Sequence, residues 1–178
     1  MEPHVTDGRR RVDELIPCPD CGALVPDIEG PTHAYLGGNA GCWATWGELQ
    51  ASSYADPALA AVMPLAVDAY AAQHHGVEGR RQAQSVWAHL VSICAILERD
   101  RTPLEGIRVK QDLLRDDPGF AWLEPPQDPG AVTLLEVAAA SGPEVAATVR
   151  RWAISVWDAW SGYRDLVRAR TDEVAPRR

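Results

Sequence analysis

The stretch from residue 16 to residue 46, IPCPDCGALVPDIEGPTHAYLGGNAGCWATW, holds three of the chain's four cysteines, Cys18, Cys21 and Cys42, and one of its five histidines, His33. Two residues separate Cys18 from Cys21, a spacing that lets both sulfurs turn toward one ion. The glycine that follows permits a left-handed turn, so Cys18-Pro-Asp-Cys21-Gly reads as a zinc knuckle. A knuckle supplies two ligands, whereas tetrahedral zinc takes four in a structural site, or three plus an open position in a catalytic one. The nearest further donors are His33 and Cys42, which complete a local C-x2-C-x11-H-x8-C set. The expected metal ligands are therefore Cys18, Cys21, His33 and Cys42, and the expected ion is Zn2+, because sulfur and imidazole in a tetrahedral set suit zinc better than iron or copper. The stretch is too rich in proline and glycine for a long helix or a central strand. A loop this long inside a compact domain needs something to clip it together, and an ion does that.

Outward from this loop the pattern becomes helical. Trp43, Trp46 and Leu49 recur at helical spacing, so a short helix begins at or just before Cys42. Asp56-Pro57 is a cap followed by proline at the first helical position, opening a helix to about His74 that Pro64 should kink and Gly76 should end. Residues 80 to 99 have apolar residues on two sides, which marks a central helix. Short helices are expected at 105–115 and 132–140. The segment 117–130, with four prolines around Trp122, reads as a surface crossing. A last long helix follows Gly142-Pro143 to about 171 and should pack on the central one. The fold class is thus mainly α, a single helical domain of three to five helices over 16–171. It includes the zinc-knuckle loop 16–42, with flexible segments at 1–15 and 172–178.

Composition limits the function classes. There are 46% hydrophobic residues, enough for a real core, and 17 basic residues against 25 acidic ones give a formal charge of −8. That balance argues against a nucleic-acid surface, which needs clustered Lys and Arg. No apolar run approaches membrane-spanning length and no secretory leader is evident, so the expected location is the cytoplasm, without a membrane partner. There a C-x2-C pair binds metal or does redox chemistry rather than forming a structural disulfide.

His74 and His89 are the remaining chemical candidates. If their helices pack antiparallel the two could converge, as proton-transfer groups or as alternative metal ligands, with Tyr70 and Asp68 completing a polar pocket. Three placements compete: the local set above; a distributed set in which His74 or His89 pins the knuckle to the helices and leaves His33 or Cys42 as the reactive group; and an ion on His33, His74 and His89 with the knuckle as a redox pair. Asp68 and Glu48 otherwise read as solvated or capping charges. Cys94 and the seven tryptophans read as core.

The segments CPDCGA, GPTHAY, GCWATWGEL, VDAYAAQH and SVWAHL, in this order, resemble an uncharacterised bacterial family, a domain of unknown function with CPxCG, GPTHxY, GCW, VDxYxxQH and SVxxHL elements. The resemblance covers about residues 16 to 99 and brings no established activity with it. What it implies is that Cys18, Cys21, His33, Cys42, His74 and His89 stand at motif positions, whereas Cys94 and His75 do not. Two functions remain open: a metalloenzyme with an open zinc position acting on a small molecule, and a non-catalytic structural-zinc module that binds a small molecule or a protein.

Overall fold

The computed structural model describes residues 14–115 and 119–175. The arm expected over 1–15 lies outside the described residues as far as residue 13, as do 176–178 of the expected tail. The chain is mainly helical. A two-stranded antiparallel hairpin, β1 (Leu15–Pro17) and β2 (Leu24–Pro26), pairs Ile16 with Val25 and is followed by seven helices. These are α1 (Ala40–Ser52), α2 (Pro57–Gln73), α3 (Arg80–Glu98), α4 (Pro103–Arg115), α5 (Leu134–Ala139), α6 (Glu144–Ala159) and α7 (Arg164–Val174).

Local chemistry sets most of the boundaries. Asn39 caps α1 by accepting from Cys42 N at 2.9 Å. Asp56 caps α2 by accepting from the amides of Ala58 and Leu59, with Pro57 at the first helical position. Thr133 and Glu136 form a reciprocal capping box that opens α5. Pro64 lies inside α2 without ending it. The long last helix expected to 171 is instead two, α6 and α7, separated by a 3-10 turn at Ser161–Tyr163, where Ser161-Gly162 weakens helical propensity. This split helps to bring the helices to seven among the described residues, more than the three to five expected. α7 also runs through residues 172–174, and Ala175 is buried, where a flexible tail was the expectation.

The core forms around α2 and α3, which pack on each other. α6 lies chiefly along α2 and also touches α3, while α7 and α4 cover the rest of α3. The central position expected for residues 80–99 is observed: Val86, Leu90, Val91, Ile93, Cys94 and Ile96 are all buried. Trp46, Trp87, Trp152, Trp157 and Trp160 are buried in the core, Trp43 packs against it, and four of the buried rings find a partner for the indole N–H. Trp152 donates to Gln73 Oε1, Trp160 to the Ala72 carbonyl, Trp87 to the Ala121 carbonyl and Trp157 to Glu98 Oε1. Among the described residues no helix is long and apolar enough to cross a membrane.

Glu98, the last residue of α3, ties both terminal helices to the core. It accepts from Arg168 through two bonds of 2.7 and 2.8 Å and from Trp157 at 2.8 Å. The Arg168 pairing holds the Glu98 carboxyl down at about 2, against the usual 4.5. Because the folded-state value is depressed, the stabilisation is complete above the ordinary carboxylate range and fades as pH falls from about 4.5 toward 2. Glu98→Gln should therefore lower the urea midpoint clearly at pH 7, and the difference from wild type should shrink steadily through that window. A difference that does not change with pH would show that the carboxylate is not held by these partners.

Candidate metal centre

The knuckle forms the turn of the β-hairpin. Cys18 N donates to the Ala23 carbonyl at 2.8 Å and Gly22 N to the Cys18 carbonyl at 2.9 Å, which closes the loop around the two sulfurs. Cys42 approaches from the first turn of α1. Gly41 beside it packs against the hairpin so closely that a Cβ would lie 2.1 Å from the Pro26 carbonyl oxygen, so only glycine lets the helix enter here. The fourth group is His74, the residue that ends α2.

The Cys18, Cys21 and Cys42 sulfurs and a ring nitrogen of His74 all lie within 4.8 Å of one another, and all four residues are at most 3% exposed. Sulfurs on one tetrahedral zinc, each at about 2.3 Å, stand about 3.8 Å apart. Here Cys21 and Cys42 Sγ are 3.9 Å apart, Cys18 Sγ lies 3.6 Å from His74 Nε2, and Cys42 Sγ lies 3.2 Å from it. The donor set thus fits a tetrahedral ion, and the group could hold one. His74 is prepared for the role by its other nitrogen, which meets the Tyr70 carbonyl at 2.7 Å. As a donor there, Nδ1–H leaves the Nε2 lone pair for the sulfurs' centre. A stack of Trp46, Tyr70 and His74, with centroids 4.3 and 3.9 Å apart, fixes the imidazole plane.

The electrostatics of the cluster call for positive charge. Hydrogen bonds from Cys21 and Cys42 hold the Cys18 thiol far below its usual range, while hydrogen bonds to Cys18 and Cys42, together with burial, push Cys21 up. Burial pulls His74 down, but hydrogen bonds and charge from Cys18 and Cys42 outweigh it and push it up to about 10. Burial, reinforced by Cys42, also raises the Tyr70 phenol, whose oxygen is 3.8 Å from Cys42 Sγ. A cation among the sulfurs removes this conflict by letting every thiol ionise together. The site is also closed: at Gly38, with φ of +99°, a Cβ would come within 3.1 Å of the His74 ring and 3.4 Å of Cys18 Sγ, so backbone roofs the cluster on that side.

Three of the four expected ligands, Cys18, Cys21 and Cys42, are brought together, and His33 is not. Its Nδ1 accepts from the amides of Leu36 at 3.1 Å and Tyr35 at 3.4 Å, so it organises its own turn. His74 joins the three cysteines instead, as the distributed placement allowed, and these four residues could hold an ion. His74 and His89 do not converge. His89, half-way along α3, places Nδ1 2.7 Å from Asp68 Oδ1 instead. Asp68, expected to be a solvated or capping charge, is fully buried and also accepts from Ser92 Oγ at 2.6 Å and from Lys110. Glu48 is exposed as expected, and Cys94 is core.

The model of a family of unknown function, DUF5946, matches residues 16–161, and the chain belongs to that family. The match spans the knuckle, Cys42, His74 and the helices that carry them. No curated protein and no solved structure matches the chain.

Proposed function

We propose that in this family member, whose family carries no assigned activity, the Cys18, Cys21, Cys42 and His74 cluster holds a structural zinc ion and the protein is a zinc-stabilised binding or regulatory module rather than an open-site zinc enzyme. One observation carries the reading: four buried protein donors converge, which fills a tetrahedral sphere and leaves no position for a water or a substrate. Zinc is favoured because three soft thiolates and one imidazole select it over hard, oxygen-seeking cations. A reducing compartment such as the cytoplasm would keep these cysteines available to the ion.

The ion's role follows from what its donors belong to. Cys18 and Cys21 come from the hairpin, Cys42 from α1 and His74 from the end of α2, so one centre fastens the glycine- and proline-rich front of the chain to the helical core. Tyr35 and Leu36, between hairpin and α1, are held against the end of α2 by the same closure: Gly37 N donates to the His74 carbonyl at 3.2 Å.

Protein purified without chelators should contain zinc in a one-to-one ratio. Its cobalt-substituted form should show the intense bands of a tetrahedral thiolate site, unchanged on adding azide. A cobalt spectrum that shifts with azide would reveal an exchangeable position and restore the enzyme reading; a protein that is folded and metal-free would end both.

A further inference from the structure

Away from the cluster, α3 and α4 flank a cavity of about 380 Å3, within the range of small-molecule pockets. Its wall combines two kinds of surface. Ile107, Leu114 and the ring-bearing Tyr35 are apolar or amphipathic, while Arg81, His89 and Lys110 bring nitrogen donors. No aspartate or glutamate is among the residues that line it, in a chain with an excess of acidic residues. The carboxylate nearest in function, Asp68, is fully buried behind the wall and already accepts from His89, Ser92 and Lys110.

That partnership is what makes the wall a built surface rather than a collection of surface cations. Asp68 takes the Nδ1 side of His89, so Nε2 is the ring nitrogen left to the cavity. The same carboxylate holds Lys110 Nζ in place, and both side chains are mostly buried, 17% and 14% exposed. Arg81 has neither an ion pair nor a hydrogen bond to its guanidinium among the described residues, so its charge is uncommitted. Asp68 offsets one of the two cations, Lys110, and leaves the charge of Arg81 unbalanced beside a partly apolar hollow.

We propose that this cavity binds a small organic anion, a carboxylate or a phosphate monoester carrying an apolar body about the size of one ring. The oxyanion lies toward Arg81 and Lys110, and the body lies on Ile107, Leu114 and Tyr35. Charge and shape divide the recognition: the cations fix orientation, and burial of the ring provides the non-directional part. The cysteine cluster enters only through Tyr35, whose loop it fastens; the cations and the rest of the apolar wall lie on α3 and α4.

Benzoate, phenyl phosphate and the neutral benzyl alcohol, titrated separately into the full chain and followed by calorimetry and by amide NMR shifts on α3 and α4, test it. Benzoate or phenyl phosphate should bind, with benzyl alcohol at least tenfold weaker; whichever anion binds tighter identifies the head group. Arg81→Gln, a change at an exposed position, should weaken that anion about tenfold with the fold unchanged. Gln111→Glu, which adds a carboxylate to the wall, should abolish binding. No binding by either anion, equal binding of the alcohol, or equal affinity in both variants would overturn the proposal.

Discussion

His74→Ala is expected to strip the metal from the protein, while His33→Ala leaves the metal content at its wild-type level. The four donors come from the hairpin, α1 and α2, so losing one from any of the three elements opens the centre and frees that element from the others. Cys18→Ser and Cys42→Ser should behave like His74→Ala. Structural zinc contributes on the order of 10 kcal/mol to small sites at neutral pH, comparable with the whole stability of a domain, which is about 5 to 15 kcal/mol. The ligand variants should therefore lose the protected amides of residues 14–39 and unfold far more easily, which hydrogen exchange and urea titration would both detect. Cys94→Ser is the control: that thiol is buried in α3 away from the cluster and should cost stability with no loss of zinc. Full zinc retention in His74→Ala, or zinc loss in His33→Ala, would return the fourth position to the local set.

The contrast between the two histidines shows what the sequence makes legible. The knuckle and the helix boundaries are local facts: Asp56-Pro57 caps and starts α2, and residues 80–98 form the central helix that their two apolar stripes require. The fourth member of the cluster is not a local fact. His33 is twelve residues beyond Cys21, but closing a longer loop costs only about 0.6 kcal/mol per doubling of its length, so nearness in sequence decides little against a prebuilt helix end. The signal for His74 lay in its position at the stop of α2, four residues after the Tyr70 carbonyl that fixes its Nδ1. The burial of Asp68 is not legible in the sequence for a related reason. Its partners are on other helices, and only the packing of α2, α3 and α4 reveals that His89 and Ser92, spaced by three on α3, and Lys110 on α4 meet on one carboxylate.

Asp68 is accordingly the position where the second large effect is expected. Its side chain is completely buried, and it accepts from Ser92 Oγ, His89 Nδ1 and Lys110 Nζ. Asp68→Ala removes the acceptor and leaves a hydroxyl, an imidazole and an ammonium facing a void, and breaking a buried pair in this way costs about 3 to 5 kcal/mol. Asp68→Asn keeps the shape but forfeits the charge, so its loss should be smaller, about 1.5 to 3 kcal/mol, the worth of hydrogen bonds to a charged group. If the penalty in Asp68→Ala comes from the stranded ammonium, Lys110→Met in the same chain should recover a large part of it, since burying neither charge is often no worse than burying both. Metal content separates this effect from the first. Asp68 lies six residues before His74, about 9 Å along the helix, so its variants should retain zinc while their urea midpoints fall. Should Asp68→Ala be as stable as wild type, the three contacts would be incidental, and the cavity wall they hold in place would lose its fixed geometry as well.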